Sequence, residues 1–159
     1  MKPVTLTLEY PLSANRYWAT RVIKPKGGGP AMSMTYVTKE AEAYKAAVGC
    51  KIRAAGLLQP ITGRVQIDVR LYPARPQDWQ KRQRVDGAAW DDTVRCIDLD
   101  NANKVLLDAL KGVAIEDDKW VRRIVAERME PDAEGARVVL TITPLAVVQP
   151  QAGLFGEAA

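Results

Sequence analysis

The chain has 159 residues, 47% of them hydrophobic, with 23 lysines and arginines against 19 aspartates and glutamates and no histidine. That length suits one domain with a single core, and no run approaches the roughly 18 apolar residues of a membrane span. The lack of histidine excludes Ser-His and Cys-His nucleophile systems and the commonest zinc ligand, while the net charge of +4 favours a polyanionic partner without requiring one.

Val4 to Tyr10 alternates with period two and stops at Pro11, which reads as a strand. It lacks the apolar stretch of a signal peptide, and two cysteines, Cys50 and Cys96, make no disulfide framework. A cytoplasmic location is expected. Pro11 to Val37 reads as loop, because Pro25, the Gly27-Gly28-Gly29 run and Pro30 exclude regular structure. Thr38 is placed as the N-cap of a helix over Lys39 to Ala55, closed by Gly56, with Ala41, Tyr44, Ala47, Val48 and Ile52 on its apolar face. Arg64 to Tyr72 alternates as a second strand.

Pro73 to Arg95 is polar and aperiodic and is read as a long surface loop, with Trp79 and Trp90 interleaved among basic residues. Next comes a helix over about Leu99 to Lys111, stopped by Gly112. Its Val105, Leu106, Ala109, Leu110 and Val113 form an apolar stripe, with Asp100, Lys104 and Asp108 on the opposite side. Lys119 to Glu130 and Arg137 to Thr143 suggest a terminal hairpin. The order β-α-β-α-β-β implies an α+β domain over residues 1–144, two helices on one face of a small mixed sheet, followed by a tail over 145–159.

The chemistry concentrates around the last helix. In an extended segment Asp98 and Asp100 would present both carboxylates to one side. Capping by Asp100 or Asn101 accounts for only one of the two aspartates. A second acidic group, Glu116-Asp117-Asp118, follows the helix, and Asp118 reaches the Asp98/Asp100 end only if the connection doubles back. Converging carboxylates repel by about 1 kcal/mol per pair at about 4 Å in water. A hard divalent cation removes that conflict, and oxygen-only ligands select Mg²⁺ or Mn²⁺. An EF-hand reading fails, because Asn103 stands where that loop needs glycine and Ala109 where it needs a bidentate glutamate. Asp108 is read as a solvated partner of Lys104; Lys104 either completes that face or stands beside a phosphate.

Asp98-Leu99-Asp100-Asn101, Lys104, Asp108-Ala109-Leu110 and Asp117-Asp118 together resemble the signature of the RusA family of Holliday-junction resolvases. Pro11-Leu12-Ser13-Ala14-Asn15-Arg16-Tyr17 is similar to that family's N-terminal segment, and the likeness runs from Val4 to about Thr143. The resemblance implies a Mg²⁺-dependent endonuclease of recombination and repair. Asp98, Asp100 and Asp118 would hold the metal, and Lys104 would act at the scissile phosphate. It also implies a homodimer that nicks a four-way junction on two strands, with Asn15 and Arg16 near DNA or the dimer contact. Arg95-Cys96-Ile97 stands where members of the family often carry an arginine run.

A branched-DNA substrate would be held mainly through its phosphates, for which Arg16, Arg21, Lys24, Lys26, Arg75, Lys81, Arg82, Arg84 and Arg95 are candidates. Trp79 and Trp90 either stack on unpaired bases or fill the core. In the tail, Gln151-Ala152-Gly153-Leu154-Phe155 resembles the peptide by which replication proteins dock on the bacterial β sliding clamp, with Gln151, Leu154 and Phe155 as anchors. Two competing readings are a DNA-binding protein without catalysis and a nuclease that prefers flap or fork DNA.

Overall fold

Period-two alternation builds a four-stranded sheet from β1 (Val4–Glu9), β4 (Val65–Tyr72), β5 (Val121–Arg128) and β6 (Arg137–Pro144). The computed structural model describes residues 2–147. The strand order is β1-β6-β4-β5, with β5 parallel to β4 and the other two pairs antiparallel. On each inner strand every second side chain is buried, as in Val65, Ile67, Val69 and Leu71, and the alternate residues face the other side of the sheet. The mixed α+β architecture anticipated from the sequence is therefore present.

Two amphipathic helices, α2 (Lys39–Ala54) and α4 (Leu99–Leu110), form the second layer. Thr38 caps α2 by accepting a hydrogen bond from the amide of Ala41 at 3.2 Å, as expected from its position. Val48 and Ile52 of α2 share the core with Val105, Leu106 and Leu110 of α4. Each such fully buried aliphatic side chain contributes about 1.5–3 kcal/mol. No helix among the described residues is long and apolar enough to cross a membrane.

Three expectations from the sequence are corrected. The segment from Pro11 to Val37, read as loop, holds a short helix α1 (Ala14–Tyr17) and a two-stranded antiparallel ribbon, β2 (Trp18–Ile23) with β3 (Met32–Val37). Pro25, the glycine run and Pro30 mark the turn of that ribbon rather than excluding structure on either side of it. The segment from Pro73 to Arg95 likewise holds helix α3 (Trp79–Asp86) and a 3₁₀ stretch (Gly87–Thr93). No residue of α3 is buried, so it carries no apolar stripe from which a helix could be read. The terminal hairpin is absent: β4 lies between β5 and β6. Single-strand alternation fixes which face is buried but not which neighbour a strand takes.

Candidate functional site

Asp98 is the N-cap residue of α4, with extended backbone and its carbonyl accepting from the Ala102 amide at 2.9 Å. The helix begins at Leu99, so Asp100 already lies in the first helical turn and the two aspartates do not share an extended segment. Neither Asp100 nor Asn101 is the cap, and the side chain of Asp98 makes no capping hydrogen bond to the first turn. Its carboxylate meets only the side-chain Nδ2 of Asn101, which donates to it at 3.4 Å. Asp100 pairs with Lys104 one turn on, at 3.2 Å, with both side chains more than 60% exposed. These acids stand at the positive end of the helix dipole, where negative charge is favoured, and neither is consumed by the fold.

Asp98 borders an open basin of about 630 Å³ lined also by Tyr10, Leu12, Asn15, Arg16, Arg95, Cys96 and Asn101. Three of the residues selected from sequence as DNA contacts thus gather beside one of the two aspartates. Arg16 is itself paired with Glu40 of α2. The floor of the basin is fixed by Tyr10, whose hydroxyl accepts from the Ile97 amide at 3.0 Å and lies 3.3 Å from the Cys96 thiol. Burial, and then the contact with Cys96, push the Tyr10 hydroxyl up to about 12, so it stays a neutral strut directly before Asp98.

A second strut holds α1 against α4. Tyr17 is fully buried and donates its hydroxyl to Asp108, which also accepts from Lys45 of α2 at 3.0 Å. Asp108 is therefore not the solvated partner of Lys104 expected from helical spacing. Burial pushes its carboxyl up, but the Tyr17 hydroxyl and the Lys45 ammonium outweigh that and hold it below its usual range. The same burial, followed by the contact with Asp108, drives the Tyr17 hydroxyl well above 10. Sequence inspection missed Tyr10, Tyr17 and Lys45 as supports. Tyr17 carried a signal, since it closes the Asn15-Arg16-Tyr17 triplet two residues beyond a candidate contact.

The opposite end of α4 carries the other acids. Lys111 bridges Asp117 at 3.0 Å and Asp118 at 3.2 Å. Asp117 accepts from the Lys119 amide at 3.0 Å, and that bond, followed by the Lys111 ammonium, lowers its carboxyl to about 2. A helix of 12 residues is about 18 Å long, and Asp118 lies toward its far end, paired with Lys111 and lining one pocket with Leu107. Among the described residues no three His, Cys, Asp or Glu side chains group closely enough to hold a metal ion. The expectation that Asp98, Asp100 and Asp118 meet is not met within one chain, because the connection does not double back. Gly112, at φ 73°, turns the chain off the helix, an isolated bridge joins Ile115 to Ile61 ahead of β4, and β5 follows at Val121.

Of the remaining basic candidates, Arg21 lies on β2 and Lys24 and Lys26 in the turn that follows it, while the others lie on or near α3. Arg82 is bound by Asp78 at 2.9 Å and by the Thr93 carbonyl at 3.0 Å, which makes it a brace for the segment. Arg75 lies over the Trp79 ring at 4.8 Å, while Lys81 and Arg84 are on the surface of α3. Trp90 is buried, donating to Glu130 at 2.8 Å, so it fills the core rather than awaiting a base. Gln151, Leu154 and Phe155 lie outside the described residues.

A family model described as Endodeoxyribonuclease RusA matches residues 10–143. That span takes in α1, the basin and both ends of α4. Comparison with curated proteins gives no match.

Proposed function

This chain belongs to the RusA endodeoxyribonuclease family, and we propose on that premise that it resolves Holliday junctions by paired nicks, as a Mg²⁺-dependent homodimer serving DNA recombination and repair. The observation that carries the reading is the unspent pair Asp98 and Asp100 at the mouth of α4, with Asn15, Arg16 and Arg95 beside Asp98.

The donor chemistry fits the metal. Mg²⁺ is commonly held by one or two carboxylates together with substrate phosphate and water, and neither histidine nor thiolate competes here. Mn²⁺ would substitute. Asp98 and Asp100 would be the resident ligands, and Asp118 would complete the site from a second copy of the chain, since within one copy it lies toward the far end of α4. A bound Mg²⁺ would supply charge neutralisation at the phosphodiester and acidify the attacking water. The chain's own residues do the rest. Arg16 and Arg95 hold phosphates flanking the scissile bond, Asn15 and Asn101 orient the backbone through neutral hydrogen bonds, and Lys104 moves from Asp100 to the scissile phosphate as the leaving 3′ oxygen gains charge. Two sites related by a two-fold axis suit two strands of like polarity. Gln151, Leu154 and Phe155 would dock the enzyme on the β sliding clamp; equal retention on clamp resin of the whole chain and a chain ending at Pro150 would refute this.

A synthetic four-way junction with and without Mg²⁺ tests the main reading. Cutting should require the cation, and Asp100→Asn should bind the junction while losing at least a hundredfold in cutting. Undiminished cutting by Asp100→Asn would overturn the site, and preferential cutting of a flap or fork in competition would overturn the substrate.

A further inference from the structure

We propose that the outward face of the β2–β3 ribbon is a wedge for the branch point of the DNA. Met32, Met34 and Tyr36 take up base faces laid bare where the arms diverge, and Arg21, Lys24 and Lys26 hold the phosphates alongside. The inference rests on the nuclease reading above and adds to it the element that tells a branch from a continuous duplex.

The ribbon is built the wrong way round for a solvated arm. Facing residues of an antiparallel pair share a side. Tyr36, Met34 and Met32 stand opposite Ala19, Arg21 and Ile23, and this set forms one side. Trp18, Thr20, Thr35 and Val37 lie on the other. Trp18 and Val37 pack against the core, so at its root the second side turns toward the domain and the first turns away. The polar side chains are on the inward side, where the Thr20 and Thr35 hydroxyls meet at 3.3 Å. The apolar ones face out: Met32 is 65% exposed, Met34 51% and Tyr36 44%. A one-sided antiparallel ribbon ordinarily shows the reverse pattern. Among the described strands β2 and β3 pair only with each other, so no other strand extends the ribbon.

Charge indicates what covers the strip. From Tyr10 to Lys39 the chain carries five basic residues and no acidic one, although the whole chain has 19 acids. Arg21, Lys24 and Lys26 have no ion-pair partner among the described residues. An apolar strip set among unopposed cations fits a ligand with flat apolar faces and anionic edges. DNA with uncovered bases has that make-up: the bases stack on the side chains and the phosphates meet the cations. Methionine is also among the residues that proteins insert between base steps.

The root of the ribbon ties the wedge to the cutting site. Thr38, directly after β3, donates its hydroxyl to the Arg16 carbonyl at 2.7 Å and its amide to the Tyr17 carbonyl at 3.0 Å. Both ends of the ribbon are thus pinned to α1, whose Asn15 and Arg16 line the basin beside Asp98. Six residues per strand give an arm about 20 Å long. A branch seated on this arm therefore sets which phosphate reaches the basin. In a continuous duplex a wedge must first unstack a base step. Where the arms diverge, stacking is already interrupted and that cost shrinks. The apolar strip favours branched DNA, whereas the cations favour any DNA.

The test is binding by the full chain, in EDTA, to a four-way junction and to a duplex with the sequence of one arm. Met32→Ser combined with Met34→Ser should weaken junction binding at least tenfold and leave duplex binding unchanged. Met32→Leu combined with Met34→Leu keeps the strip apolar and should bind the junction as the unaltered chain does. Lys24→Gln combined with Lys26→Gln should weaken both ligands alike and flatten the slope of log affinity against log salt by about 2. A 2-aminopurine beside the branch should brighten when the unaltered chain binds, and not when the serine variant is bound at saturation. No loss on the junction, an equal loss on junction and duplex, or a leucine variant that fails like the serine one would overturn the wedge. So would a fall in light-scattering mass with junction preference intact, which would give the strip to a second copy. Failure of the nuclease reading looks different: preference and fluorescence respond as described while no form cuts the junction with Mg²⁺.

Discussion

The two ends of α4 carry the same side chain in opposite circumstances. At the start, Asp98 has only a weak contact with Asn101, and Asp100 shares a single exposed pair with Lys104. At the finish, one ammonium, Lys111, lies between Asp117 and Asp118, and Asp117 is drawn down to about 2. Acids that a fold needs are answered from within it, as at the finish; acids left facing an open basin with arginines on its rim are held for something that arrives. The difference separates ligand candidates from structural ones more sharply than acidity alone. It also marks Asp118 as intermediate, partly answered by Lys111 and still half-exposed.

The largest expected effect breaks the comparison at both ends together. Asp100→Asn and Asp118→Asn chains should each lose at least a hundredfold in junction cutting. If each site draws Asp98 and Asp100 from one copy and Asp118 from the other, mixing the two inactive chains should restore nicking of one strand, because one of the two sites in a mixed dimer is intact. A site closed within one chain would leave the mixture inactive. Gel analysis of nicked against fully resolved junction separates these outcomes.

A smaller effect tests the strut between the ends. Tyr17→Phe removes the hydroxyl that Asp108 accepts and leaves Lys45 as its remaining partner. Loss of a hydrogen bond to a charged, partly buried group should cost about 1.5–3 kcal/mol in urea unfolding. A loss below about 0.5 kcal/mol would mean that Lys45 alone satisfies Asp108. The variant should also weaken junction binding more than it slows cutting of bound junction, since α1 carries Asn15 and Arg16.

Much of this was legible in the sequence where the physics is local. The cap at Thr38, the stop at Gly112 and the apolar stripe of α4 follow from spacing and residue type, and all three are in the structure. What escaped depends on relations between distant segments. The place of β5 beside β4 is decided by the crossover through α4 rather than by its own alternation. Asp108 looked solvated because helical spacing takes no account of Tyr17, 91 residues away. Asp118 joins Asp98 and Asp100 only through the family resemblance and a connection that would have to double back, and the helix between them keeps its ends apart.

The smallest expected effect concerns Lys111, and it has a definite sign. Asp117 titrates below the ordinary 3.8, so between about 2 and 3.8 the unfolded chain binds more protons than the folded one. Its contribution to stability is present above 3.8 and is lost as pH falls toward 2. Lys111→Gln removes the second cause of that depression but not the first, the hydrogen bond from the Lys119 amide. The Asp117 carboxyl should therefore rise from about 2 and still remain below 3.8 in an NMR titration. Because the pair is solvent-screened, stability at neutral pH should fall only slightly. A carboxyl that stayed at about 2 would assign the whole depression to the backbone and leave Lys111 free of Asp117. One that reached 3.8 would show that the turn itself depends on the ammonium.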